Sequence, residues 1–65
     1  MSDDRRALIH AARNALNGLV LQLEVAALYA ERGEIVMLQR SIDQARGAAA
    51  ALADALERVD EEGAG

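Results

Sequence analysis

From Ile9 to Ala30 the chain sets an apolar residue at every third or fourth position: Ile9, Ala12, Leu16, Leu19, Leu23, Ala26 and Ala30. From Ile35 to Val59 it does so again, through Ile35, Leu38, Ile42, Ala45, Ala49, Leu52, Leu56 and Val59. Steps that alternate between three and four keep one apolar stripe along a helix, whereas a strand needs a period of two. Between the two runs stands Gly33, in "AERGEI". A glycine after a helix-favouring stretch reads as the residue that closes one helix and opens a short turn. The pattern predicts one all-α domain over residues 1–65: helix 1 over about residues 3–32, a turn near Gly33, and helix 2 over about residues 34–60. Ser2 is placed to cap the first helix, and Asp3 and Asp4 fall in its first turn, where the dipole favours negative charge. Gly18 and Gly47 lie inside the helices at about 1 kcal/mol each against alanine. Residues 61–65, polar and glycine-rich, are expected to fray.

Two seams of this kind are expected to face each other in an antiparallel hairpin. The apolar surface is wider than the seams, however, because Leu8, Val20, Leu21, Val25, Ala27, Leu28 and Tyr29 fall outside the first. A chain of 65 residues is near the size where one core is marginal. Full burial of a large side chain is worth about 1.5–3 kcal/mol, so leaving several exposed is a heavy loss and an aggregation risk. Without cysteine, disulfides and thiolate metal sites are out of reach as staples. Pairing two hairpins into a C2 four-helix bundle is the economical remedy. The bundle core then comprises Ile9, Leu16, Leu19, Leu23, Ile35, Leu38, Ile42, Leu52, Leu56 and Val59.

Several function classes are disfavoured. All seven basic residues are arginines, set against eleven carboxylates for a net charge of −4, so no basic stripe exists to follow a nucleic-acid backbone. The near-apolar run from Leu16 to Leu28 is interrupted by Asn17, Gln22 and Glu24 and falls short of the roughly 18–20 residues of a membrane span. "MSDDRR" has no apolar stretch of the kind a secretory signal carries, and a cytoplasmic location is expected. One histidine and scattered carboxylates give no metal-ligand spacing, and no cofactor is expected. A glycine-rich phosphate loop is also lacking, and these 65 residues leave no room for an ATP-binding domain, so autonomous kinase activity is not expected.

His10, Asn14, Asn17 and Leu21 recur at steps of four, three and four and form a line about 100° around the helix from the first seam, bordered by Arg13. An exposed neutral imidazole has the lone pair that attacks an electrophile. By spacing alone, a histidine without an orienting carboxylate more often belongs to a plain solvated face.

His10, Arg13, Asn14, Leu16 and Asn17, written His-x-x-Arg-Asn-x-Leu-Asn near the start of a long helix, resemble the H-box of the dimerisation and histidine phosphotransfer domain of two-component histidine kinases. That domain is a helical hairpin that dimerises into a four-helix bundle. The resemblance implies that His10 is a phosphoacceptor and that Asn14 orients water for dephosphorylating a partner. It places Arg13 at the rim of the site, with Asn17 lining it, and Leu16 packed below. Its implied partners are a response regulator receiver domain or a histidine kinase, with Leu21, Val25 and Leu28 as a docking patch. The alternative for these three is burial against the second hairpin. Two positions depart from the motif. Ala11 stands where the family has an acidic residue, and Ala15 where it has a proline. Loss of a general base is worth about 10² to 10⁴ in rate, and loss of the proline predicts a straighter helix. The implied function is phosphoryl exchange at His10. The alternatives are a dimerisation or adaptor scaffold that has lost the chemistry, and a generic coiled-coil oligomer.

Overall fold

The computed structural model describes the backbone of residues 2–64 and the side chains of residues 4–61. It is an all-α hairpin of two helices, α1 (Ser2–Arg32) and α2 (Ile35–Ala64). Its extents are 48 × 13 × 11 Å, one helix long and two helices wide. The capping expected of Ser2 and the dipole role of Asp3 rest on side chains outside the described ones. α1 runs without interruption through Ala15, where no proline removes a hydrogen bond.

The turn is made of Gly33 and Glu34 alone. Gly33 has φ 70°, a conformation that is cheap only without a Cβ. Its N–H donates to the carbonyl of Ala30 at 3.2 Å, and the N–H of Glu34 donates to the carbonyl of Tyr29 at 3.0 Å. That pair of bonds is the Schellman closure of a helix. The carbonyl of Glu34 then accepts the N–H of Leu38 at 2.9 Å, which starts α2. At the other end, α2 continues to Ala64, through most of the stretch expected to fray. A lone glycine costs helix about 1 kcal/mol without ending it, and no proline follows.

The helices meet along seams that differ from the expected ones by a partial rotation. On α1 the buried and half-buried positions are Leu8, Ala12, Ala15, Leu19, Gln22, Ala26 and Tyr29, with Gly18 and Val25 alongside. On α2 they are Leu38, Ser41, Ala45, Ala48, Leu52, Ala55 and Val59. Ala12, Leu19, Ala26, Leu38, Ala45, Leu52 and Val59 belong to the expected seams. The other expected members, Ile9, Leu16, Leu23 and Ala30 on α1 and Ile35, Ile42, Ala49 and Leu56 on α2, remain exposed. Their places in the contact are taken by Leu8, Ala15, Gln22 and Tyr29, and by Ser41, Ala48 and Ala55.

Size explains the choice. Two Cα cylinders of about 2.3 Å radius within a 13 Å width leave no more than about 8 Å between axes, the close end of the range for packed helices. Alanine and serine fit such a gap. The most buried residues are accordingly Ala12, Ala26, Ala45, Ala55 and Ser41. The short turn keeps residues equally far from it level with each other, so Leu19 stands opposite Ala48 and Leu52 opposite Ala15. In the middle of the hairpin a large side chain thus meets a small one, the interdigitation that fills space without strain, while the same register sets Leu8 opposite Val59 and Tyr29 opposite Leu38 at the two ends.

Candidate functional site

Rotation of the seam toward small residues leaves a broad apolar face. Ile9, Leu16, Val20 and Leu23 on α1, with Ile35, Ile42 and Leu56 on α2, keep between 42% and 57% of their surface exposed. At about 100° per residue, both sets stand roughly a quarter turn from their seams in the same rotational sense. In an antiparallel pair of right-handed helices, the same sense on each helix leads to the same side of the hairpin. The face therefore runs the length of the molecule, with Ile9 and Leu56, Leu16 and Ala49, and Leu23 and Ile42 each offset by only about 3 Å along the axis.

His10 lies off that face. Two residues from both Leu8 and Ala12, it is turned about 200° from each and points away from α2. His10, Arg13, Asn14 and Asn17 are all exposed. Along the helix axis Asn14 is about 6 Å and Asn17 about 10 Å from His10. The described structure thus brings the four expected site residues together on one outward sector, within three turns of α1. Arg5 and Arg6, which the motif reading passed over, join them. Arg5, Arg6, Ile9, His10 and Arg13 line an open depression of about 480 Å³. The signal for Arg6 was present in the sequence, because Arg6, His10 and Arg13 follow each other at steps of four and three.

The expected docking residues divide. Leu21 and Val25 line a second depression of about 290 Å³ near the turn, with Gln22 and Tyr29 of α1 and Met37, Arg40, Ser41 and Gln44 of α2. Val25 is half-buried, while Leu21 is 56% exposed. Leu28, also exposed, faces outward beside this depression and does not line it. The depression opens on the side of the hairpin opposite the long apolar face, since its α1 residues are displaced from the seam in the other rotational sense.

On the outer surface of α2, Arg58 pairs with Asp54 at 3.3 Å, a solvent-exposed i,i+4 pair of the kind that contributes little. Among the described residues no group of three or more potential metal ligands converges, and no helix is long and apolar enough to cross a membrane. Comparison with known family models, with curated proteins and with solved structures finds no match for the chain.

Proposed function

We propose that the chain is a homodimeric signalling module of the histidine phosphotransfer type, in which a four-helix bundle presents His10 for phosphoryl exchange with a receiver domain. The observation that carries the dimer is the long apolar face. Seven large aliphatic side chains per protomer retain about half their surface, so completing their burial is worth roughly 0.7–1.5 kcal/mol each. Two protomers together recover on the order of 10–20 kcal/mol, against about 4–15 kcal/mol for association. A second copy is the natural occupant, because the face is matched in length and level on both helices and a C2 operation sets it against itself. His10 stands outside the face, and the depression around it shares only its Ile9 edge with the surface that the bundle would bury. The depression at Leu21 and Val25 also stays open in such a dimer and suits a receiver domain docking below His10.

In the proposed exchange a ring nitrogen of neutral His10 attacks the phosphorus of an aspartyl phosphate. The new N–P bond forms as the P–O bond to the aspartate breaks, the carboxylate leaves, and the proton on the other ring nitrogen passes to solvent. Asn14, one turn away, is placed to orient water for the hydrolytic reaction. The absence of cysteine suits a reducing, cytoplasmic setting. A second reading, a dimerisation scaffold without chemistry, is favoured by Ala11, which leaves His10 without an adjacent carboxylate.

Incubation with phosphorylated receiver domains separates the two. Acid-labile phosphate on the wild-type chain that vanishes in His10→Ala supports transfer, and a higher rate in Ala11→Glu would locate the missing base. Transfer to neither protein across a broad panel of receivers leaves the scaffold.

A further inference from the structure

The proposed exchange leaves open what holds the negative charge of the phosphoryl group next to His10, and three arginines suggest an answer. Arg5, Arg6 and Arg13 are three of the chain's seven arginines and fall within one nine-residue stretch around the histidine. Arg6 and Arg13 stand one turn before and one turn after His10 on the same outward sector, and Arg5 closes the depression from the side of Ile9. Among the described residues no ion pair or hydrogen bond ties up any of these three guanidinium groups. Asp4 lies on a different side of α1, lining a separate depression with Ala7, Leu8, Arg58 and Glu61. Ala11, in the place of an acidic residue, also removes the charge that would repel an anion. Among the described residues, the charged side chains lining the depression with the chain's one imidazole are all basic, in a chain of net charge −4. The guanidinium fork matches the oxygens of a phosphoryl group and remains charged at any physiological pH.

Resting on the phosphotransfer reading of His10, we propose that Arg5, Arg6 and Arg13 form an anion cradle. It binds the phosphoryl dianion of an acyl phosphate and holds its phosphorus toward the His10 ring. The acyl phosphate is carried either by a small molecule or by the aspartate of a receiver domain. Arg6 and Arg13 bind the equatorial oxygens from the two neighbouring turns, and Arg5 adds charge at the edge. The cradle takes over, by attracting and orienting the donor, part of the rate advantage that a neighbouring carboxylate would have supplied by removing a proton.

The test has a binding arm and a reaction arm on the full chain. In the first, inorganic phosphate is titrated at fixed pH while the His10 ring signals are followed by NMR. A saturable shift that weakens as sodium chloride is raised, is lost in Arg6→Gln/Arg13→Gln and persists in Arg32→Gln supports the cradle. An equal shift in the double variant overturns it. In the second, acetyl phosphate and a phosphorylated receiver domain are offered separately, and phosphohistidine is measured by ³¹P NMR. The double variant is expected to react at least tenfold more slowly with either donor, with partial rescue by Arg6→Lys/Arg13→Lys, while helicity is unchanged because both side chains are exposed. A deficit with the receiver alone assigns these arginines to docking a protein surface and overturns the cradle. Phosphohistidine forming at a rate indifferent to the arginines removes the cradle and leaves the phosphotransfer reading standing. Arginine-dependent phosphate binding with no phosphohistidine from either donor removes the phosphotransfer reading and leaves an anion site.

Discussion

Leu21 and Leu23 are two residues apart, and they are nearly equally exposed, at 56% and 54%. They differ in the side of the hairpin they occupy. Leu23 belongs to the long apolar face with Ile42 close to level across from it, while Leu21 lines the depression on the reverse. Replacing each in turn by aspartate therefore tests the proposed dimer without changing the kind of perturbation. In the hairpin alone both substitutions place a charge at a half-exposed site, and neither should cost more than about 1 kcal/mol, since surface changes are mild. In the dimer, Leu23→Asp forfeits the burial still open to leucine, about 0.8–1.6 kcal/mol per protomer, and the loss is counted twice. Setting a carboxylate in the apolar interface adds several kcal/mol more. The total exceeds about 3 kcal/mol, which is more than a hundredfold in Kd. Leu21→Asp should leave Kd within about threefold of wild type. Sedimentation equilibrium over a micromolar concentration range reads both values. A wild-type chain that stays monomeric at 100 µM, which limits dimer stabilisation to less than about 5.5 kcal/mol, refutes the reasoning, as does Leu21→Asp dissociating the dimer while Leu23→Asp does not.

Four further substitutions address the hairpin itself, each read as a thermal midpoint by circular dichroism, at about 4–8 °C per kcal/mol for a domain of this size. Gly33→Ala meets no atom within 4 Å, yet it forces a Cβ into φ 70° and should destabilise by about 1 kcal/mol. An unchanged midpoint would mean that the turn relaxes to another form. Gly18→Ala and Gly47→Ala also add a Cβ into open space, but in helical backbone, and should each stabilise by up to about 1 kcal/mol. Ala45→Leu enlarges a residue that is 5% exposed where the helix axes are close, and overpacking should destabilise by about 1–3 kcal/mol. A rise in its midpoint would show that the seam is not tightly closed.

The hairpin and its turn were legible in the sequence because both signals are local. The period of the apolar residues sets the helix, and Gly33 supplies a backbone conformation that few other residues adopt. Which residues touch inside the hairpin was harder to read. Alanine occupies positions in both possible frames, Ala12 and Ala15 on α1, Ala45 and Ala48 on α2, and carries too little hydrophobic signal to choose between them. The large residues drew attention to the frame of Ile9, Leu16 and Leu23, yet close approach of the helices is decided by what is small. The polar line at His10 was legible from spacing. Arg5 and Arg6 were not singled out, because their relation to His10 appears only when the surface of the first two turns is seen as one depression.

The pairing of Tyr29 with the closed end of the hairpin has a practical consequence. Tyr29 is the chain's one aromatic residue, half-buried against the seam beside the turn, and about 28 Å along α1 from His10. Its emission is a built-in reporter for the end of the molecule that His10 does not touch. Phosphorylation or anion binding at His10 that alters Tyr29 fluorescence has to act through the helix pair, and a silent Tyr29 would mark the two ends as mechanically independent.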